Sequence, residues 1–216
     1  MGKKGKFIVF EGLDGSGKST QIENLRKRLQ VLCAPAGKRK VFVTREPSDS
    51  VPGSICRGIG KRSVLVQPET EALLYAADRY EHVKMEILPQ LMAGNHVICD
   101  RYYFSNYAYQ STDSDLNDLL AYNRAVSGLL RADVTIFIDV PPLECEKRRA
   151  IERATEEKYE NVEFAKVTKE QYFKTFELLK VQENILIVDG CGDPGEIFED
   201  LWAVLRHTII NESDYI

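Results

Sequence analysis

Residues 12–19 read Gly-Leu-Asp-Gly-Ser-Gly-Lys-Ser, and no other stretch of the chain says more about its architecture. They complete the pattern G-x-x-x-x-G-K-[ST], in which a glycine-rich loop turns backbone N–H groups toward one point at a helix N-terminus. The apolar run Phe7–Phe10 precedes the loop with strand character, and a helical pattern follows from Thr20. Such a loop attracts phosphate through both its donors and the helix dipole. The stretch therefore predicts a nucleoside triphosphate site.

Each fixed position of this loop has a chemical task. The glycines permit the tight turn, Lys18 would reach the β- and γ-phosphates, and the Ser19 hydroxyl would ligate Mg²⁺. A glycine-rich turn that binds nothing is the alternative, but the strand before it and the helix after it favour a binding loop. The predicted nucleotide-binding residues are Gly12, Leu13, Asp14, Gly15, Ser16, Gly17, Lys18, Ser19 and Thr20.

The composition is that of an ordinary globular chain. Of its 216 residues, 44% are hydrophobic and 29% are charged, so we expect residues 1–216 to form one domain. A net charge of −4 gives no sign of a nucleic-acid or membrane surface. No apolar stretch approaches roughly 18 residues, and the N-terminus lacks the apolar core of a signal peptide. Five scattered cysteines fit a reducing cytosol, and we expect a cytoplasmic protein: Cys33, Cys56, Cys99, Cys145 and Cys191.

Strands and helical segments alternate along the chain. Apolar or β-branched runs predict strands at Lys6–Glu11, Lys40–Thr44, His96–Cys99, Val134–Val140 and Ile185–Val188. Helical spacing predicts helices at Thr20–Leu32, Glu69–Met92, Leu116–Leu130, Leu143–Arg153, Phe164–Leu179 and Pro194–Ile209. Pro35–Gly37 and Pro47–Gly53 are predicted loops. The alternation indicates right-handed βαβ units, and so an α/β fold with a mostly parallel sheet covered on both faces.

Charged side chains follow two of these strands at the edge where such folds bind ligands. Asp100 closes a mostly apolar strand, which is the arrangement of an acid that holds Mg²⁺ beside a phosphate loop. It could instead cap the next helix. Arg45 and Arg101 stand at strand ends and could converge on a second phosphate, a task that suits the planar guanidinium. Surface ion pairs are the alternative for both arginines.

Five segments in this order resemble the thymidylate kinase (dTMP kinase) family: Phe10–Gln21, Thr44–Pro47, Leu73–Arg79, Asp100–Tyr102 and Ala108–Gln110. The resemblance extends over essentially the whole chain. It implies a P-loop NTPase-type three-layer α/β/α fold with a five-stranded parallel sheet and a helical lid at about 147–161. It also implies a homodimer, with ATP and Mg²⁺ as cofactors and transfer of the ATP γ-phosphate to dTMP, giving dTDP and ADP.

The resemblance further implies roles for individual residues. Lys18 and Asp14 belong to the catalytic set, with Asp14 near the acceptor's 3′-hydroxyl or near the metal and the acceptor arginine. Arg45 and Arg101 hold the acceptor monophosphate, and Arg101 also serves catalysis. Contacts to the thymidine itself fall to Tyr75, Arg79, Ser105, Asn106, Tyr109 and Gln110.

Tyr75 stands where the family usually places a Phe that stacks on thymine, and a Tyr ring can also stack. Arg79, one helical turn further on, would donate to thymine O4. Ser105 and Asn106 would meet the N3 edge of the base. Tyr109 would disfavour a 2′-hydroxyl, and Gln110 lies near the base. Taken alone, Tyr75 and Arg79 would be read as a core aromatic and a solvated charge.

Gly15 occupies a loop position where some family members carry an arginine that reaches the transferring phosphate. The basic segment 147–153 is then the natural source of that charge on lid closure. Arg149 and Arg153 are four residues apart and share a helix face, whereas Arg148 points about a quarter-turn away. We therefore predict that Arg149 or Arg153 is catalytic. A charged, solvent-exposed helix is the alternative.

One departure from the family pattern bears on the acceptor. Ser48-Asp49 replaces the usual two glycines, and Asp49 would mildly repel an acceptor phosphate unless it points away. Two other functions stay open. A deoxynucleoside kinase would need a carboxylate base on its acceptor hydroxyl, and a non-catalytic ATP-binding regulatory protein would need no acceptor. The expected partners are the small molecules dTMP and ATP, with neither nucleic acid nor membrane.

Overall fold

Five short parallel strands form the centre of the molecule. The computed structural model describes residues 5–33, 39–152 and 161–209. The strands are β1 (Phe7–Glu11), β2 (Val41–Arg45), β3 (His96–Asp100), β4 (Val134–Asp139) and β5 (Ile185–Asp189). They pair in the order β2-β3-β1-β4-β5, and every pair is parallel. All five carboxyl ends therefore lie at one edge of the sheet, with the glycine-rich loop at its middle strand.

Helices connect these strands. The helices before β3 are α1 (Lys18–Cys33), α2 (Val51–Gly60), α3 (Pro68–His82) and, after a π-helical turn at Val83–Ile87, α4 (Leu88–Met92). Those after β3 are α5 (Tyr103–Gln110), α6 (Leu116–Ser127), α7 (Pro142–Glu152), α8 (Val162–Leu179) and α9 (Pro194–Ile209). Among the residues described, no helix combines the length and the apolar character that a membrane crossing requires.

Each face of the sheet carries its own hydrophobic core, because successive side chains of a strand point to opposite faces. Phe7 and Val9 of β1 pack with side chains of α3, α5 and α8. Ile8 and Phe10 pack on the other face with side chains of α1 and α9. A strand buried on both faces reads as a continuous apolar run, which is the pattern of β1. The predicted α/β fold, with a five-stranded parallel sheet between two helical layers, is confirmed.

All five predicted strands are present, with ends displaced by one residue at most. The predicted helix Glu69–Met92 is a helical stretch interrupted by the π-helical turn. Pro89 explains the interruption, because its nitrogen cannot donate to the carbonyl one turn earlier. The predicted loop Pro35–Gly37 and lid residues 153–160 lie outside the described residues.

The sequence does not predict α2 or α5. The predicted loop Pro47–Gly53 includes the first three residues of α2. This helix contains three glycines, a composition that is more typical of a loop. Ser50 caps this helix by accepting a hydrogen bond from the Gly53 N–H at 3.0 Å. Helix α5 is only eight residues long and is rich in aromatic residues, so its sequence carries no clear helical period.

Candidate active site

The glycine-rich loop joins β1 to α1 and has the backbone conformation that its sequence predicts. Gly12, Gly15 and Gly17 have φ angles of 144°, 87° and 92°, a region that favours glycine. Lys18 is buried, and its Nζ donates to the carbonyls of Gly12 and Leu13 at 3.0 Å each. Burial lowers the pKa of Lys18, and the Arg101 charge acts in the same direction. The ammonium thus lies folded over the loop, where it can turn to an incoming phosphate.

A cavity of about 490 Å³, here called the loop cavity, opens over this loop. Ser19 and Asp100 both line it. Asp100 Oδ1 is buried and has no hydrogen-bond partner within the described part of the chain. A hydroxyl and an unpaired carboxylate oxygen are the ligands that Mg²⁺ prefers, so this pair fits the predicted metal. Asp100 is the last residue of β3, so its position comes from the β3 register with β1.

Two arginines of α7 enter the wall of the loop cavity. Arg149 is buried, with 9% of its surface exposed, and it lines the cavity together with Arg148. Arg148 donates to the Gly190 carbonyl at 3.1 and 3.2 Å. Arg148, predicted to lie about a quarter-turn from the Arg149 face, also reaches the cavity, because α7 lies close enough to the loop for both side chains. Arg153 lies outside the described residues.

Helix α7 packs directly on the loop at Gly15. A Cβ added there would lie 2.4 Å from the Cys145 carbonyl oxygen and 3.0 Å from Arg149 Cγ. A larger side chain at position 15 is therefore incompatible with α7 in this place. Glycine at position 15 leaves the loop without a cation there, and it also leaves the space in which α7 brings its own arginines to the loop.

A second cavity of about 390 Å³, here called the tip cavity, lies beside the ends of β2 and β3. Its lining includes all the residues predicted to hold an acceptor: Arg45, Tyr75, Arg79, Arg101, Ser105, Asn106, Tyr109 and Gln110. The Arg45 side chain is exposed and makes no hydrogen bond or ion pair within the described residues. Asp14 and Arg101 line both cavities and form their common wall.

Arg101 is held by four side chains. Its φ of 71° is rare for a residue with a side chain, and its N–H donates to the Phe10 carbonyl at 2.8 Å. Nη2 donates to Asp14 Oδ1 at 2.7 Å and to the Tyr109 hydroxyl at 3.0 Å. Nη1 donates to the hydroxyls of Ser105 and Tyr172, and the guanidinium lies 4.9 Å from the Tyr109 ring centroid.

Glu11, which the sequence analysis does not single out, lies beneath this arginine at the end of β1. It is completely buried. Oε1 accepts from the backbone N–H groups of Tyr102 and Ser105, the start of α5, and Oε2 accepts from the Ser105 and Tyr172 hydroxyls. Burial raises the pKa of Glu11, although the Arg101 charge and these hydrogen bonds oppose the shift. Because its partners lie about 90 residues or more away in the sequence, no local pattern indicates that Glu11 binds them.

Arg79 forms the floor of the tip cavity and is itself buried. Its Nε donates to Glu46 Oε2 at 2.8 Å, while Nη1 donates to Asn123 Oδ1 at 2.6 Å and Nη2 to the Tyr102 carbonyl. The reading of Arg79 as a solvated charge is therefore wrong. A contact from Arg79 to a base stays a prediction, since most of its donors already have partners. Glu46 also accepts from buried His82.

The remaining predicted contacts form a polar edge of the cavity. Asn106 Nδ2 donates to Gln110 Oε1 at 3.0 Å, and Gln110 Nε2 donates to Glu71 at 3.2 Å. The Ser105 hydroxyl is engaged with Glu11, Tyr172 and Arg101, so its predicted contact with a base edge has no support here. Burial raises the pKa of Tyr75, so its ring stays neutral and can stack.

The Ser48-Asp49 departure has a structural explanation. Ser48 and Ser50 donate from Oγ to the buried Asp78 carboxylate at 2.5 and 2.8 Å, and these bonds anchor the segment in place of glycine turns. The Asp49 side chain is 82% exposed and lies 3.4 Å from the Arg57 guanidinium. Its predicted repulsion toward a cavity anion is thereby reduced.

Comparisons with known proteins agree with this geometry. A family model described as thymidylate kinase matches residues 10–200. A Pyrococcus horikoshii protein named "Probable thymidylate kinase" is 37% identical over 213 residues, covering 96% of this chain and 98% of its own length. A "Probable thymidylate kinase" of Pyrobaculum calidifontis is 36% identical over 94% and 97%. A "Thymidylate kinase" of Rhodopseudomonas palustris is 33% identical over 94% and 89%. With the loop and both cavities present, the chain belongs to the thymidylate kinase family.

Proposed function

We propose that this protein transfers the γ-phosphate of ATP to dTMP, giving dTDP and ADP. One observation carries the proposal: the loop cavity and the tip cavity meet at a wall made by Asp14 and Arg101. Phosphoryl transfer needs donor and acceptor phosphates held in line with their charge neutralised, and it needs little covalent participation from the protein. Two cavities that meet at a wall containing the Arg101 guanidinium fit that need.

The loop cavity takes the donor. Backbone N–H groups of Gly12–Thr20 surround the ATP phosphates, and Lys18 leaves its carbonyl partners for the β- and γ-oxygens. Ser19 and Asp100 would hold Mg²⁺, and the ion would help to neutralise the charge of the ATP phosphates. Arg149 approaches from α7 and stabilises the charge that develops in the transition state.

The tip cavity takes the acceptor. Arg45, which has no described ion-pair partner, and Arg101 bind the dTMP phosphate. The Tyr75 ring stacks on the thymine, and the amide of Asn106 meets its polar edge. Tyr109 lies over Arg101 beside the sugar, so it disfavours a 2′-hydroxyl by occupying that space.

We further propose that residues 1–216 act as one cytoplasmic kinase domain and that two copies associate. The outward face of α3 supports association, because it exposes Leu73 and Tyr80, which are 48% and 44% accessible. These residues are seven apart and therefore share one face of the helix. Light scattering after size-exclusion chromatography measures the assembly, and a monomer at micromolar concentration would contradict it.

The alternatives differ in what the acceptor side requires. A deoxynucleoside kinase needs a free carboxylate base, but Asp14 and Glu46 in the tip cavity are both bonded to arginines. A regulatory ATP-binding protein binds no acceptor phosphate, so its function would not require Arg45 and Arg101 at a second cavity.

Measurement of ADP release with ATP, Mg²⁺ and a panel of acceptors separates these functions. We expect turnover with dTMP and weaker turnover with dUMP, since one methyl group is worth about 1–3 kcal/mol in a fitted pocket. Thymidine should not be phosphorylated. Equal or better turnover of UMP, CMP or AMP would contradict the assignment to dTMP.

A further inference from the structure

We propose that Glu11 and Tyr172 are positioning residues for Arg101, acting through a relay of two hydroxyl groups. The proposal rests on the proposed function, in which Arg101 binds the acceptor phosphate. Neither residue lines the tip cavity, and neither contacts the place where the acceptor would lie. Both are completely buried. Their effect must therefore reach the reaction through another residue.

The hydrogen-bond directions in this cluster follow from chemistry. A guanidinium can only donate and an ionised carboxylate can only accept, whereas each hydroxyl does both. Ser105 Oγ lies 2.6 Å from Glu11 Oε2, and the Tyr172 oxygen lies 2.8 Å from the same atom. The two hydroxyl oxygens also lie 2.9 Å from each other, but the carboxylate is the stronger acceptor, so we assign both hydroxyl protons to Glu11. The lone pairs of both oxygens are left facing Arg101 Nη1, at 2.8 and 3.3 Å.

The relay holds the Nη1 side of the Arg101 guanidinium and leaves the Nη2 side able to change its hydrogen-bond partner. Nη1 is held by hydroxyls whose protons are themselves held by Glu11. Nη2 is bonded instead to Asp14, which is 40% exposed, and to Tyr109 at the cavity wall. An acceptor phosphate can take the place of Asp14 at Nη2 without disturbing Nη1. The guanidinium then enters the complex already oriented, and less side-chain entropy is lost on binding.

Glu11 also fixes the backbone from which the relay is built. Its Oε1 accepts from the N–H groups of Tyr102 and Ser105 at the start of α5, where the first N–H groups of a helix lack partners one full turn earlier. The Ser105 N–H also donates to the Tyr102 carbonyl at 3.2 Å. Tyr172 comes from α8, the helix that follows the predicted lid segment in sequence. One buried carboxylate thus joins the ends of β1 and β3, the start of α5 and the middle of α8.

The chain offers a matched control for both substitutions. The Tyr103 hydroxyl donates to Glu183 Oε2 at 2.8 Å, which equals the Tyr172–Glu11 distance. Tyr103 is 1% exposed, the Glu183 side chain is 3% exposed, and neither lines the two cavities. Tyr103→Phe and Glu183→Gln therefore remove a buried tyrosine–carboxylate bond of similar geometry away from Arg101.

The test compares Tyr172→Phe and Glu11→Gln with these controls, by dTMP and ATP calorimetry and by steady-state kinetics. Glu11→Gln keeps the shape but places donors against the hydroxyls, so that their protons turn toward Arg101. We expect a loss in kcat/KM for dTMP of about 10-fold for Tyr172→Phe and about 100-fold for Glu11→Gln. ATP affinity should stay within about twofold, and both controls should match the wild type.

The Arg101→Ala background separates positioning from a general structural role. There Tyr172→Phe should have almost no further effect on dTMP use, because the group that it positions is gone. Equal losses in both backgrounds, or Tyr172→Phe and Glu11→Gln proteins with near-normal dTMP use, would overturn the proposal. Wild-type turnover reports separately on the proposed function. A wild type that bound dTMP without transferring phosphate would refute that function, and dTMP affinities of the variants would still judge the relay.

Discussion

Arg101 Nη2 lies 2.7 Å from Asp14 Oδ1, in the wall that the loop cavity and the tip cavity have in common. Asp14 belongs to the glycine-rich loop and Arg101 to the end of the neighbouring strand β3, so the bond joins the donor side to the acceptor side. An acceptor phosphate that binds Arg101 must compete with this carboxylate. Binding of the acceptor is thereby linked to the conformation of the phosphate loop.

The charge on Asp14 gives the first prediction. Burial would raise the pKa of Asp14, but the charges of Arg101 and Lys18 outweigh it and hold the pKa well below the ordinary value of 3.8. A lowered folded-state pKa contributes stability above the unfolded value, and that stability is lost as pH falls through the folded value. Wild type should therefore be more stable than Asp14→Asn at neutral pH, by an amount that solvent screening at the 40% exposed side chain keeps modest.

Urea unfolding of both proteins across pH measures this difference. It should be constant above about pH 5 and should shrink below the ordinary pKa of 3.8. Convergence of the two curves near neutral pH would contradict the ionised pair.

The Glu46–Arg79 pair gives a prediction about stability. Its side chains are 3% and 2% exposed, so removing one charge leaves the other buried and unpaired. Glu46→Gln should lower the free energy of unfolding by about 3–5 kcal/mol. Glu177→Gln breaks the exposed pair with Lys180 and should change stability little. Equal urea midpoints for the two variants would show that the buried pair carries no special weight.

The α7 arginines give a prediction about rate. Arg149→Ala should lower the turnover number while both substrate affinities change little, because the group acts on transition-state charge. Arginine fingers supplied by a partner protein contribute on the order of 10³–10⁵ in rate, so a weaker version on the same chain should still be plain.

The Arg149→Ala/Arg153→Ala double variant tests whether the two arginines share the task, and Arg148→Ala tests the neighbour that also lines the loop cavity. Near-normal turnover in the double variant would show that neither arginine acts on the transferring phosphate.

Gly15 gives a prediction about packing. Alanine at position 15 has an unfavourable φ of 87° and meets the Cys145 carbonyl at 2.4 Å, so either the loop or α7 must move. Gly15→Ala should lower stability by about 1–3 kcal/mol. At Gly60 an added Cβ meets nothing within 4 Å, so Gly60→Ala should be neutral or stabilising. Thermal melting compares the two, and an unchanged melting temperature for Gly15→Ala would refute the close packing of α7 on the loop.

The strand ends could be predicted because their placement depends on sheet geometry alone. Parallel strands bring their carboxyl ends to one edge, and Arg45 is indeed the register partner of Asp100. The contacts of Arg79 and Glu11 could not be predicted in this way. Tyr172 lies 161 residues from Glu11 in the sequence. A local sequence pattern predicts neither how distant helices pack nor which way a hydroxyl group points. The sequence offered one indication of this role, which is that Glu11 ends the apolar strand β1. A carboxylate buried there needs a partner for its charge.

The acceptor role of Arg101 is tested most directly by following ³²P from the γ-position of ATP in a single turnover with dTMP. The wild type should place the label in dTDP. Arg101→Ala should bind ATP normally and slow this transfer by about 100-fold or more, because the acceptor phosphate loses a charge-assisted partner. Label found in inorganic phosphate, label transferred as readily to thymidine, or an Arg101→Ala protein that loses ATP binding and keeps dTMP affinity would contradict the assignment.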